Sequence, residues 1–179
     1  MKLHEVVHLG DLTYMFEGFN KVIPYKLARQ QNFKDIKGKW FAIETNPEIK
    51  AVINITPFQD LIIGEVGFYT EDTGHSLLNV FNAGQVGSLI ATIKYICLSE
   101  EDVTTWFFSA KFDNTHPNPE EAQEELERRK TFYFKLAWRF SKEHNLFYAV
   151  FDLGVNAFYI LSKTKITSER LAAFKKLYE

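Results

Sequence analysis

Apolar residues, many of them β-branched or aromatic, concentrate in three consecutive short runs in the first half of the chain, 39–45, 51–57 and 61–69. Asn46-Pro47 and Pro57-Phe58-Gln59-Asp60 separate them. Short apolar runs with turn residues between them predict strands. A first strand is expected at 2–8. After Gly10-Asp11 the pattern changes: Leu12, Met15, Phe16 and Phe19, followed by Val22 and Ile23, have the spacing of an amphipathic helix. Pro24 suits the first turn of a second, short helix running to about Phe33, with Gly38 as its breaker.

Further along, His75–Phe81 reads as a strand closed by Asn82-Ala83-Gly84. The apolar run Leu89–Ile96 suits a helix or a buried strand, and periodicity alone does not choose between them. Thr104–Phe112 reads as a strand. Asn118-Pro119-Glu120-Glu121 is the clearest local signal: an N-cap, a proline at the first helical position, then acids facing the helix dipole. That helix is expected to reach about His144. Leu146–Asp152 and Ala157–Leu161 predict a hairpin across Leu153-Gly154-Val155-Asn156. A last helix starts at Thr167, with Ile166 and Leu171 placed for a hydrophobic staple and a stripe of Leu171, Phe174 and Leu177. The order predicts a single α+β domain with a central mixed, mostly antiparallel sheet flanked by helices.

Composition narrows the classes. The chain has 179 residues, enough for one domain with a real core. A formal charge of −2 gives the whole molecule no polyanion-binding signature. Locally the balance differs. Lys21, Lys26, Arg29, Lys34, Lys37 and Lys39 face one acid, Asp35, for a net +5 interleaved with Tyr25, Phe33 and Trp40. Such a stretch suits phosphate neutralisation with base stacking, or a solvated face. The single cysteine, Cys97, excludes an intramolecular disulfide and points to a reducing compartment. No signal-peptide pattern and no membrane-length apolar run is read, so a cytoplasmic protein without a membrane partner is expected. The five histidines show no metal-ligand spacing.

Two stretches carry a family resemblance. Val80-Phe81-Asn82-Ala83-Gly84-Gln85-Val86-Gly87-Ser88-Leu89-Ile90 resembles the pyrophosphate loop of the GNAT acyltransferase superfamily, an Arg/Gln-x-x-Gly-x-Gly/Ala pattern before a helix. Phe132-Tyr133-Phe134-Lys135-Leu136-Ala137-Trp138 is similar to that family's Tyr-x-Lys-Leu-Gly-Phe signature. The segment order is similar as well. The loop departs from the pattern in lacking an arginine and in the register of its first glycine. Backbone N–H groups at a helix start bind phosphate, and glycine lets the ligand approach.

The resemblance implies a GNAT-like fold, acetyl-CoA as cofactor, and acyl transfer to an amine of a small molecule or protein. It places the cofactor against Phe81, Asn82, Gly84, Gln85, Val86, Gly87, Ser88 and Asn114. It makes Tyr133 the proton donor to the departing thiolate, because a phenol stays protonated at neutral pH. It also implies two parallel strands, expected at 76–81 and 104–112, that splay apart. Glu65, on a central strand, is the candidate general base, and the same alternation also permits a solvent-facing place for it. Two other readings stand beside the enzyme: an inactive acyltransferase-like scaffold serving a protein partner, and a nucleic-acid module using 21–39.

Overall fold

A computed structural model describes residues 21–45, 48–70 and 83–178, with backbone only for 83–85. The described chain runs β1 (Tyr25–Phe33), β2 (Ile36–Ile43), β3 (Ile49–Phe58), β4 (Leu61–Thr70) and α1 (Ala83–Ser99). It continues with β5 (Thr105–Lys111), α2 (Pro119–His144), β6 (Phe147–Asp152), β7 (Asn156–Ser162) and α3 (Ser168–Tyr178). The seven strands form one mixed sheet in the order β1-β2-β3-β4-β5-β7-β6. This is a single α+β domain with three helices among the described residues.

β1 to β4 form an antiparallel meander. β4 and β5 are parallel, as a helical crossover through α1 requires, and β5, β7 and β6 close the sheet antiparallel. Hairpin register fixes which side chains share a face. Ile49, Ala51, Ile53 and Ile55 of β3 point to the first face, beneath α1 and α2, in a core that includes Trp106, Phe108 and Phe140. Leu61, Ile63, Phe107, Phe158 and Ile160 point to the second face, under Phe174 of α3.

Several expectations change. Residues 25–33 form a strand, not a helix. Lys-Leu-Ala-Arg-Gln-Gln favours helix in isolation, but a cross-strand ladder from Tyr25↔Ile43 to Phe33↔Ile36 overrides it. Lys34 takes the left-handed φ of 50° to turn the hairpin. Gly38 breaks nothing; it lies within β2. Residues 21–24 belong to no helix. The run 89–96 is helical, inside α1, which buries Val86, Leu89, Ile90, Ile93, Ile96 and Cys97 at helical spacing. Leu177 of the α3 stripe is 58% exposed, and Tyr178 packs on Phe107 in its place. The expected strands 2–8 and 75–81 and the helix over 12–19 lie outside the described residues.

α2 begins where its capping signal said. Asn118 Oδ1 accepts from the Glu120 and Glu121 amides at 3.0 and 3.4 Å, and Asn145 at φ 50° ends the helix. Lys130 ties the helix to the β6–β7 turn, donating to Asp152 Oδ1 at 3.1 Å and to the Gly154 carbonyl at 2.6 Å. No helix among the described residues is long and apolar enough to cross a membrane.

Candidate active site

The parallel neighbour of β5 is β4, and the strand expected at 76–81 lies outside the described residues. The β4–β5 ladder covers four pairs, from Ile63↔Thr105 to Val66↔Phe108. Beyond them β4 continues to Thr70 and β5 to Lys111 without pairing to each other. The sheet therefore forks at the C-terminal ends of two parallel strands, where open α/β sheets hold their ligands.

Tyr133 of α2 fills this fork. Its ring centroid lies 5.3 Å from Phe68 of β4, 5.8 Å from Phe108 of β5, 5.8 Å from Phe132 and 6.2 Å from Tyr159. The residue is 6% exposed, and its hydroxyl has no hydrogen-bond partner among the described residues. Burial pushes the phenol up to about 12, against a smaller opposing pull from Arg129. It is protonated throughout the neutral range.

Successive turns of α2 extend a polar ladder from the fork. Residues i, i+4 and i+8 share a helix face, so Glu125, Arg129 and Tyr133 line up. Arg129 donates to the carbonyl of Lys111, at the end of β5, at 3.0 Å, and its buried Nε has no partner. Glu125 is 9% exposed, with one carboxylate oxygen buried and unpartnered. Its other oxygen stands 4.0 Å from His116 Nε2. Sequence reading missed Glu125 and Arg129, although the four-residue spacing back from Tyr133 was available.

The other expected site residues scatter. Glu65 does not meet Tyr133: along β4 the odd positions 61 and 63 enter the second-face core and the even position 66 enters the first, so Glu65 points away from α2. Gly84, Gln85, Val86, Gly87 and Ser88 are not a loop before a helix. They lie within α1, which starts at Ala83. The N–H groups without intrahelical partners are thus those at the helix start, around 83–86, while Gly87 and Ser88 fall in the next turn. Val86 is a core residue, and the Ser88 carbonyl accepts from Thr92 Oγ1 at 2.7 Å. Phe81 and Asn82 lie outside the described residues. Asn114 occupies an exposed turn beyond β5.

Lys135, two residues past Tyr133, is 3% exposed and has no partner among the described residues. Burial lowers its ammonium to about 8. Cys97 is fully enclosed, and burial pushes its thiol up, away from nucleophilic use. The basic stretch is divided by strand alternation. Arg29 stacks on Trp40 on the second face, while Lys39 pairs with Glu100 at 2.6 Å on the first. No group of three or more potential metal-ligating His, Cys, Asp or Glu occurs among the described residues.

Comparison with family models, curated proteins and solved structures gave no match.

Proposed function

We propose that the chain is an acyl-CoA-dependent N-acyltransferase that acetylates an amine of a small molecule or protein at the β4–β5 fork. The observation that carries the reading is the fork itself, with the tyrosine of the Tyr-x-Lys-Leu stretch seated in it. In this reading the amine nitrogen attacks the thioester carbon, the C–S bond breaks, and the Tyr133 phenol gives its proton to the leaving sulfur. Its high pKa keeps the proton available, and the low-polarity fork strengthens the interaction with the developing thiolate. The amine proton passes to water in this reading, since Glu125, eight residues and about 12 Å along the helix axis from Tyr133, lies beyond the one-water reach of a general base. Glu65 has no part in this arrangement. The helix start at Ala83 offers backbone N–H groups for the cofactor pyrophosphate.

One observation favours a second reading, an acyltransferase-like scaffold without turnover. Four rings enclose Tyr133, so the fork is filled by side chains. Calorimetry with acetyl-CoA separates the two. The enzyme reading expects a heat of binding and thiol release when amines are supplied. An absence of heat at millimolar acetyl-CoA overturns it in favour of the scaffold.

A further inference from the structure

The second face of the sheet carries a groove that the acyl-transfer reading does not use. Register sets Gln31 opposite Gly38, Gly38 opposite Asn54, and Asn54 opposite Glu65. This row therefore crosses four strands on one face, at about 4.8 Å per step. With Trp40, Phe33 and Thr56 it borders a cavity of about 330 Å³. That size falls at the lower end of ligand pockets. α3 covers the neighbouring part of the same face and stops beside Glu65, whose charge reinforces the burial that pushes the Tyr178 phenol up to about 12.

Gly38 makes the cavity. A Cβ there would stand 2.7 Å from the Trp40 indole and 3.2 Å from Asn54 Oδ1. Glycine lets the indole lie back along β2 over Gly38 itself, so that the ring rather than a Cβ lines the groove there. Arg29 occupies the indole as a cation, 5.1 Å from the ring centroid, and donates to Gln31 Oε1 at 2.8 Å. What remains unengaged among the described residues is the Asn54 amide, the Thr56 hydroxyl and the Glu65 carboxylate, all half-buried. These groups offer donors and acceptors in alternation, with a charged acceptor at one end.

We propose that this groove binds a neutral saccharide. Hydroxyls of a sugar ring donate to Glu65 and bridge to the Asn54 amide, while its C–H edges pack against the exposed ring of Phe33 beside the Arg29-covered indole. An organic cation fits less well: the indole already carries Arg29, and Glu65 is the single carboxylate against that neighbouring positive charge. This inference stands independently of the acyl-transfer reading, since the groove and the fork lie on opposite faces.

The test is ¹H–¹⁵N NMR of the full chain titrated separately with maltose, cellobiose and chitobiose, and with spermidine as the cationic probe. At least one of the sugars is expected to shift the Trp40 indole and Asn54 side-chain signals at millimolar concentration, leaving the Trp106 indole, sealed on the other face, in place. Glu65→Gln keeps the shape but replaces the charged acceptor, and is expected to weaken binding about tenfold. Asn54→Ala is a second variant on the same row, and its retained fold is verified from its own spectrum. The proposal is overturned if none of the three sugars moves these signals, if spermidine alone does, or if both variants bind like the parent.

Discussion

The two faces of the sheet are drawn from the same strands by the same alternation, yet they are finished differently. On the first face, α1 and α2 cover the sheet from Phe41 of β2 to Tyr159 of β7, and the buried apolar core is continuous. On the second face, α3 covers Leu61, Ile63, Phe107, Phe158 and Ile160 but leaves Val52, Asn54 and Thr56 of β3 half-exposed. The difference lies in residue choice along single strands. β3 alternates isoleucine and alanine inward with valine, asparagine and threonine outward, whereas β5 is buried on both sides from Thr105 to Phe108. A strand buried on both faces reads as a continuous apolar run, and a strand buried on one face reads as alternation. Stability belongs mainly to the first face, and unengaged polar groups are available on the second.

Adjacent residues give the sharpest way to break that comparison. Ile53 is fully buried on the first face, while Val52 is half-buried on the second. Ile53→Ala is expected to cost about 2–5 kcal/mol, and Val52→Ala about 1 kcal/mol or less. Urea denaturation of the two variants reads both, and equal losses would mean that the second face carries as much of the fold as the first.

Next in size is Tyr133→Phe. With a verified amine substrate, turnover is expected to fall about 10²-fold while acetyl-CoA affinity holds, because the phenol acts on charge developing at the sulfur. Stability should hold, because the variant keeps the ring contacts and removes a hydroxyl that has no partner among the described residues. Full turnover would remove Tyr133 from the chemistry. Melting would make it a structural residue of the fork.

Lys135, buried on α2, gives a pH-dependent effect. Its folded pKa, about 8, lies below the ordinary 10.5. Below pH 8 both states are protonated, and the folded state bears the full penalty of burying the charge. Above pH 10.5 both are neutral and the penalty is gone. The lysine's unfavourable contribution therefore fades as pH rises through this window. Lys135→Met is expected to stabilise the protein at pH 7, with the gain shrinking as pH rises from about 8 and vanishing above about 10.5. A gain that does not change with pH would trace the effect to packing rather than charge.

Much of this architecture was legible because local signals agreed with the tertiary outcome. The Asn118-Pro119-Glu120-Glu121 cap placed α2, and the expected runs 51–57 and 61–69 fall within a residue or two of β3 and β4. β1 was not legible for a physical reason. As an exposed edge strand it has nearly no buried side to alternate with, and Lys26–Asn32 is filled with helix-favouring and amide residues. The parallel pairing of β5 with β4 was not legible, because pairing between distant segments leaves no local trace. Glu65 shows the same limit at one residue: β4 is apolar on both sides, so its sequence gives no sign of which face a given position takes.

The smallest expected effect concerns Arg29, and it measures how little the open face contributes to stability. Its guanidinium lies 5.1 Å from the Trp40 ring centroid on an edge strand in contact with water. A cation–π contact at such a site contributes about 0.5–1 kcal/mol. Arg29→Met keeps most of the aliphatic stem and removes the charge, so the expected loss in urea denaturation is at or below that range. Arg29→Lys should recover part of it, since an ammonium also binds a ring face but without the planar stacking of guanidinium. The hydrogen bond to Gln31 is exposed and adds little. A loss above about 2 kcal/mol would exceed what an exposed cation–π contact supplies. It would show that Arg29, Trp40 and Gln31 form a structural unit holding β1 to β2, and the second face would then have a stabilising cluster of its own rather than an open, weakly coupled surface.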